Sequence, residues 1–293
     1  DEWKDEPGFI EDIMRFLDNV LTDFINRAPE SFDDAKYSAT RERSVGLGVM
    51  GFHSFMQKNM IPIESVMAKV WNKKMFQLID KEVNAASKKL AEERGPCPDA
   101  AEYGINERFS NKTAIAPTAS ISIICGGASP GIEPIAANSY THKTLSGSFN
   151  VRNKYLRKIL QKYNQDTNEV WSSITTNQGS IDHLDFLSQD EKDVFKTAFE
   201  IDQRWLIDHS ADRTPYISQA QSLNVFIPAD IHKKQLHQIH YQAWKKGLKS
   251  LYYCRSKSIQ RAEVVNDSFA KTKKQKEQEK QQTTDYEECL SCQ

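Results

Sequence analysis

Residues 223–254 have the sequence LNVFIPADIHKKQLHQIHYQAWKKGLKSLYYC, which decides the fold class. Residues 223–227 form a short apolar run typical of a buried strand. A polar cap then leads into a helix predicted over about residues 231–246, which Gly247 ends. Residues 250–254 are a second short strand candidate. Because strands that alternate with helices are typical of parallel sheets, the sequence predicts an α/β layer structure.

The alternation of helices and short apolar runs continues upstream. Helices are predicted over residues 7–26 and 63–93, where apolar side chains recur at three- and four-residue spacing. Residues 29–38 are predicted to form a loop. Residues 113–116 (TAIA) are a further buried strand candidate.

The composition limits the class of protein. Of the 293 residues, 39% are apolar and 27% are charged, which is enough for a packed core. The formal net charge of −1 favours neither a nucleic-acid partner nor a membrane partner. No apolar run approaches the roughly 18 residues of a membrane span, and the N-terminal residues do not resemble a signal peptide. We therefore expect a cytoplasmic protein.

The last 31 residues differ in composition from the rest of the chain. Residues 271–280 (KTKKQKEQEK) contain no apolar side chain, so we predict a folded part over residues 1–262 and a disordered, flexible tail over residues 263–293. The tail ends in a C-x-x-C pair, Cys289 and Cys292. Zinc would need two more ligands and none lies nearby in the sequence, so a mobile redox dithiol is favoured and no metal is expected.

The other cysteines and the histidines carry weak signals. Five cysteines are too few, and odd in number, for a secreted disulfide scaffold. We expect Cys97, Cys125 and Cys254 to be small buried apolar groups. His237 and His240 share one face of a predicted helix that is rich in Lys and Gln, so a solvated surface is favoured over a ligand site.

The glycine-rich segment GLGVMG at residues 46–51 matches the G-x-G-x-x-G pattern of dinucleotide-binding turns. That function requires a strand immediately before the pattern and a βαβ unit after it. Residues 39–43 are a poor strand, and a long helix follows instead. We therefore interpret these glycines as positions of close backbone packing.

The segment APTASIS at residues 116–122 joins a strand candidate to small and hydroxyl-bearing residues. If a helix begins there, its first N–H groups lack intrahelical partners, and with the hydroxyl groups they form a site suited to phosphate. An ordinary Ser/Thr helix cap would give the same pattern and is the commoner structure. The residues alone leave both interpretations open.

Tyr252 and Tyr253 are adjacent on the last strand candidate. Neighbouring side chains on a strand point to opposite faces, so one ring would face an interior site and the other an interface. Two ordinary strand aromatics are the simpler explanation of the same pair.

Taken together, these segments resemble the large, catalytic subunit of class I ribonucleotide reductase. The resembling segments are, in chain order, RSVGLGV at 43–49, GPCP at 95–98, APTASIS at 116–122, GIEP at 131–134, QSLNV at 221–225, KSLYY at 249–253 and the C-terminal cysteine pair. Each motif is weak alone, but the ordered set is specific and covers nearly the whole chain. The resemblance implies the C-terminal portion of that subunit, and with it most of the second half of a ten-stranded α/β barrel.

The resemblance also implies a substrate site. Pro117, Thr118, Ala119, Ser120 and Ile121 match the turn that binds the diphosphate of a ribonucleoside diphosphate substrate in this family. The implied reaction is the reduction of ribonucleoside diphosphates to deoxyribonucleoside diphosphates for DNA synthesis.

Radical and redox roles follow from the same resemblance. Tyr253 and Tyr252 match the pair that relays a radical from the subunit interface, at Tyr253, towards the active-site cysteine, at Tyr252. Cys289 and Cys292 match the tail pair that reduces the active-site disulfide and is itself reduced by thioredoxin or glutaredoxin. The implied di-metal centre and its tyrosyl radical belong to a separate small subunit, so no cofactor is expected on this chain.

One motif of the family is absent. The pattern N-x-C-x-E, which carries the thiyl cysteine and the Asn and Glu that handle the substrate hydroxyl groups, does not occur in the 293 residues. We therefore expect a split large subunit, as in some phage reductases, which is active only with an N-terminal partner fragment and the small subunit.

Two other functions remain open. The chain could be a stand-alone nucleotide-binding or regulatory module that keeps the phosphate turn without the chemistry, or a thiol–disulfide carrier built around Cys289 and Cys292. Unchanged activity of the assembled complex after Tyr252→Phe would favour the first. Reduction of small disulfides by the isolated chain would favour the second.

Overall fold

The computed structural model describes residues 5–144 and 147–256, without the side chains of residues 142–144 and 147. The helices are α1 (Phe9–Arg27), α2 (Asp33–Glu42), α3 (Phe52–Lys58), α4 (Val66–Arg94), α5 (Pro98–Glu102), α6 (Ala119–Ile124), α7 (Lys154–Lys162), α8 (Asn168–Thr176), α9 (Gln189–Val194), α10 (Gln203–Arg213) and α11 (Lys233–Lys245). The strands are β1 (Ser139–Thr144), β2 (Gly147–Arg152), β3 (Val225–Ile227) and β4 (Cys254–Ser256). Short 3₁₀ turns occur at Glu30–Phe32 and Thr214–Tyr216.

The strand–helix–strand unit of β3, α11 and β4 forms as predicted. β3 and β4 are parallel neighbours, with Val225 opposite Cys254, and α11 connects them. The second strand begins at Cys254, four residues later than the sequence pattern places it. The main-chain bonds start earlier, because the Tyr252 N–H already donates to the Leu223 carbonyl at 2.9 Å. The result is the parallel α/β arrangement that the sequence predicts.

Extended segments continue this parallel layer through the residues just before β3. Leu47 forms a parallel bridge with Thr113, and Ile115 forms another with Gln221. The Ile115 N–H donates to Ala220 O at 3.1 Å. The strand predicted at residues 113–116 therefore takes part in the layer through single bridges. A separate antiparallel hairpin, β1–β2, lies outside it.

The prediction of a loop over residues 29–38 is wrong, because most of this segment is helical. Helix α2 has no buried residue, so the apolar periodicity that marks the other helices is missing from its sequence. It is stabilised instead by Asp33 and Asp34 in the first turn and by ion pairs from Arg41 to Asp99 and Glu102 at 2.5 and 2.7 Å.

Three apolar clusters hold the elements together. The cluster that carries the parallel layer joins β3 to α3, α4, α10 and α11 through residues such as Phe52, Phe76, Ile207 and Phe226. A second cluster lies between α1 and α4, and a third is formed by residues from α7 to α9 with Trp171 at its centre. This apolar packing against helices holds the parallel layer in place.

The glycines at positions 46 and 48 are sites of close backbone packing, as the sequence analysis predicts. A Cβ atom at Gly46 would lie 2.9 Å from the Ala114 Cβ atom. A Cβ atom at Gly48 would overlap the Ala114 carbonyl oxygen. Both positions face the neighbouring extended segment, so no side chain fits between the two backbones.

We expect Gly46→Ala and Gly48→Ala each to lower the free energy of unfolding by about 1–3 kcal/mol through overpacking. Ala114→Gly should rescue Gly46→Ala, because it removes the Cβ atom that clashes. It should not rescue Gly48→Ala, whose clash is with a main-chain oxygen. Urea denaturation of the single and double variants measures both effects, and equal rescue of the two variants would contradict this packing.

Candidate functional site

The turn predicted to bind phosphate lies at the end of the extended segment 113–116 and leads into helix α6. Thr118 is the N-cap residue and has a left-handed backbone, with φ 54° and ψ 27°. This conformation is strained for a β-branched residue. It is held by the Gly131 N–H, which donates to Thr118 Oγ1 at 2.7 Å.

The turn offers main-chain donors rather than a capped helix end. The first N–H with a helical acceptor is that of Ser122, which donates to the Thr118 carbonyl at 3.0 Å, so the amides of Ala119, Ser120 and Ile121 precede the hydrogen-bonded turn. No side chain caps them in the described part of the chain. Ser120 is exposed, whereas the buried Ser122 hydroxyl donates to Ala119 O at 3.0 Å. Three amides and the Ser120 hydroxyl can thus face an anion.

A cleft of about 650 Å³ opens beside this turn. Ala119 and Ser122 of α6 lie in one wall, and Tyr140 and Arg152 of the β1–β2 hairpin lie in another. The wall is mainly apolar, and Ile121 and Ile124 next to it are 53% and 83% exposed. The turn is therefore open on the side of helix α6.

The loop of residues 129–135 supports the turn from behind. Ser54 and Ser129 exchange two hydrogen bonds, N–H to Oγ, at 3.1 and 2.9 Å. The Ile135 N–H donates to His53 Nδ1 at 3.1 Å. Burial lowers the pKa of His53 to about 3, so the ring stays neutral and Nδ1 remains an acceptor. Helix α3 thus fixes this loop at both ends.

Glu133 is a buried carboxyl group in that loop, and it is only 6% exposed. Its Oε1 accepts the Asn224 N–H at 3.3 Å. Burial raises the pKa of Glu133 above its ordinary value, while the side chain and N–H of Asn224 and the charge of Arg255 act in the opposite direction. In the sequence, Glu133 stands out only as part of the GIEP segment, since a single Glu gives no local sign of burial.

The two tyrosine rings are in contact. Their centroids are 4.1 Å apart at an angle of 50°, and the two residues are 44% and 42% exposed. The prediction that Tyr252 and Tyr253 face opposite sides is therefore wrong. The alternation fails because the pair precedes β4, and the Tyr253 N–H donates to the side-chain Oδ1 of Asn224 at 2.9 Å instead of to a strand carbonyl.

A continuous set of contacts joins the turn to the tyrosine pair. It runs from Thr118 to the Gly131 N–H, along the loop to the Glu133 carboxyl group, and on through Asn224 to the Tyr253 N–H. Residues that are far apart in sequence are thus brought into one site. No motif pattern contains this connection, because it depends on the packing of the loop.

The predictions for the cysteines are confirmed only for Cys97. Cys289 and Cys292 lie outside the described residues, as does the predicted boundary at residue 262. Cys97 is buried as expected, but Cys125 and Cys254 are exposed, because one ends the short helix α6 and the other begins β4 with an exposed side chain.

The histidines of α11 lie within the described residues. His237 and His240 are exposed on α11, which confirms the predicted solvated face. Within residues 5–144 and 147–256, no group of three or more His, Cys, Asp or Glu side chains is arranged to hold a metal ion. No helix in the described part of the chain is long and apolar enough to cross a membrane.

Comparison with known proteins identifies the family of the chain. The sequence profile of the family "Ribonucleotide reductase, barrel domain" matches residues 7–104 and 98–254. The ribonucleoside-diphosphate reductase large subunit of Invertebrate iridescent virus 6 is 49% identical over 272 residues, which cover 92% of this chain and 28% of that protein. The corresponding subunit of Caenorhabditis elegans is 32% identical over 96% of this chain and 39% of its own length.

A solved structure gives the same assignment. The alpha subunit of the class Id ribonucleotide reductase of Actinobacillus ureae superposes with a TM-score of 0.81 at 37% sequence identity, over 89% of this chain and 48% of that subunit. The chain thus spans between about a quarter and a half of these relatives. It belongs to the ribonucleotide reductase barrel-domain family.

Proposed function

We propose that this chain is part of the large subunit of a ribonucleoside-diphosphate reductase and contributes the diphosphate turn, the tyrosine relay and the tail dithiol. The observation that carries the proposal is the set of hydrogen bonds that links Thr118 to Tyr253 in a chain of this family. A protein that only bound nucleotides would not need two tyrosines in contact at the end of this set of hydrogen bonds.

The substrate is a ribonucleoside diphosphate, held by its phosphates at residues 117–121. Amide N–H groups at the start of α6 and the Ser120 hydroxyl donate to phosphate oxygens. Helix α6 has only six residues, so directed hydrogen bonds supply most of the attraction and the helix dipole supplies little.

The radical enters at Tyr253 and leaves at Tyr252. An oxidised Tyr253 takes one electron and one proton from Tyr252, which restores the Tyr253 hydroxyl group and leaves the radical on Tyr252. Tyr252 then takes one electron and one proton from the active-site thiol, which becomes a thiyl radical. The ring contact of 4.1 Å between centroids supports direct transfer between the two tyrosines.

The tail completes the cycle. Two thiols at Cys289 and Cys292 pass two electrons and two protons to the active-site disulfide and become a disulfide themselves. Thioredoxin or glutaredoxin then reduces them. A flexible tether suits a group that visits the active site and leaves it again.

The remaining parts come from outside these 293 residues. The thiyl cysteine and the polar groups of the N-x-C-x-E motif belong to an N-terminal part of the large subunit. The radical is generated by the small subunit, which carries the di-metal centre. The assembly works in the cytoplasm, where nucleoside diphosphates and thioredoxin are available.

Substitution of the turn tests the substrate site. We expect Ser120→Ala, in the assembled reductase, to weaken binding of a ribonucleoside diphosphate by about tenfold or more, since hydrogen bonds to charged groups contribute about 1.5–3 kcal/mol. Thr118→Val should weaken it as well, because it removes the acceptor of the Gly131 N–H that holds the turn in place. Binding of the unphosphorylated nucleoside should not change. Thr40→Val, which removes an exposed hydroxyl group that donates to Lys36 O on α2, is the matched control. Equal diphosphate affinity in wild type and both turn variants would refute the assignment.

A further inference from the structure

The carboxamide of Asn224 lies between the Glu133 carboxyl group and the tyrosine pair. Asn224 is 1% exposed, and its Oδ1 accepts the Tyr253 N–H at 2.9 Å. Its own N–H donates to Glu133 Oε1 at 3.3 Å. The next N–H, that of Val225, donates to the Tyr253 carbonyl at 2.9 Å. Both polar groups of the Tyr253 backbone are therefore held by residues 224 and 225.

We propose that Asn224 and Glu133 are positioning residues for the radical relay: Glu133 orients Asn224, and Asn224 holds the Tyr253 backbone so that its ring contacts that of Tyr252. The inference rests on the proposed relay function and assigns two residues to it. Both residues act through the geometry of Tyr253.

The use of a side chain as the acceptor explains why the rings meet. In a regular strand the main chain would accept the Tyr253 N–H, and consecutive side chains would point to opposite faces. Here the acceptor is the Asn224 Oδ1, and the pair lies before the first residue of β4. The pleat is therefore not established at Tyr252 and Tyr253, and their centroids lie 4.1 Å apart.

Glu133 determines which end of the Asn224 carboxamide faces Tyr253. The Asn224 side chain interacts with the Glu133 carboxyl group and opposes the rise in its pKa. Its Nδ2 atom is buried and has no hydrogen-bond partner among the described residues. A neighbouring carboxylate attracts that NH₂ group and leaves Oδ1 for the tyrosine. Replacing the carboxylate would remove this preference.

The support behind Glu133 is rigid. Its N–H donates to Pro130 O at 2.9 Å, and the loop is fixed to α3 through Ser54 and His53. The guanidinium group of Arg255 lies 5.9 Å from the Tyr253 ring centroid. Glu133 is therefore held in place, and it can keep the Asn224 carboxamide in one of its two orientations.

The test uses the assembled reductase with 3-aminotyrosine at position 252, an analogue that traps the radical for detection by electron paramagnetic resonance. We expect Asn224→Leu, which keeps the volume but removes the acceptor, to lower the yield of trapped radical by about 10²-fold, the scale expected for a displacement of about 1 Å. Asn224→Asp and Glu133→Gln should each lower it as well, the first by setting two carboxyl groups against each other.

The double variant Glu133→Gln/Asn224→Asp exchanges the amide and the carboxylate. The introduced glutamine still accepts the N–H of residue 224 and donates to the introduced aspartate, which in turn still accepts the Tyr253 N–H. We expect this exchange to restore the yield above that of either single variant, which a general loss of stability would not do. A double variant with a yield at or below the lower single variant would overturn the proposal, as would an unchanged yield in Asn224→Leu.

Tyr253→Phe separates this inference from the function on which it rests. If Tyr253→Phe abolishes the trapped radical while Asn224→Leu leaves it unchanged, the positioning role is wrong and the relay stands. If the radical still forms in Tyr253→Phe, the relay itself is wrong. Diphosphate affinity should be the same in all Asn224 variants, because the change concerns the tyrosine pair alone.

Discussion

Tyr252→Phe is expected to reduce turnover of ribonucleoside diphosphates by the assembled reductase to the background of the assay. Phenylalanine keeps the ring and its packing but has no hydroxyl hydrogen, so it cannot pass on one electron and one proton. Affinity for the nucleoside diphosphate should be unchanged, because the proposed phosphate site is the turn at residues 117–121 and does not include Tyr252. Steady-state turnover and equilibrium binding, measured on the same preparation, check the two parts of this result.

The control is Tyr37→Phe, which makes the same chemical change at a tyrosine that is 69% exposed on α2. It should retain full turnover. Wild-type activity in Tyr252→Phe would contradict the radical relay. It would favour a nucleotide-binding or regulatory module instead.

Asp18→Asn is expected to lower the free energy of unfolding by about 3–5 kcal/mol, the scale for removing one partner of a buried ion pair. The Asp18 carboxylate is fully buried in α1 and accepts from Arg43, Arg94 and Arg108 at 2.6, 2.7 and 2.9 Å. These three arginines come from the end of α2, the end of α4 and the loop before residue 113. Neutralising Asp18 leaves three guanidinium groups close together without a counter-charge.

The pH dependence has a definite sign. Burial raises the pKa of Asp18, but the hydrogen bonds from the three arginines outweigh burial and lower it below the ordinary value. The stabilisation is therefore present above about pH 4, the unfolded pKa, and is lost as the pH falls through the folded pKa. Asp18→Asn should lose this acid dependence. Asp23→Asn, on the same helix with an exposed partner Arg27 at 3.4 Å, should change stability by less than about 1 kcal/mol.

Local patterns were enough to predict the parallel unit. Apolar runs at residues 223–227 and 113–116, with a helix between the last two strands, are short-range signals, and the structure contains all three. The close packing at Gly46 and Gly48 was also predictable. The strand and βαβ unit that a dinucleotide-binding turn requires are missing from the flanking sequence, which leaves backbone packing as the function of these glycines. Helix α2 was missed because its stability comes from ion pairs with α5 and not from a buried face.

The arrangement of the candidate site was only partly predictable. The turn and the tyrosines are recognisable as motifs, and the structure connects them through the loop that holds Glu133. The contact between the two rings contradicts strand alternation, and it depends on one side chain, Asn224, twenty-nine residues away in sequence. Neither a buried Glu nor an Asn that replaces a main-chain acceptor has a local signature, since both are defined by what packs against them.

The most direct measurement is the conversion of a labelled ribonucleoside diphosphate to its deoxy form by the purified chain. With the small subunit and a dithiol reductant alone, the account predicts no product, because the N-x-C-x-E cysteine is not among the 293 residues. With the N-terminal part of the large subunit added, it predicts turnover that requires Tyr252. Product from the chain and small subunit alone, or no product from the complete mixture, would contradict the account.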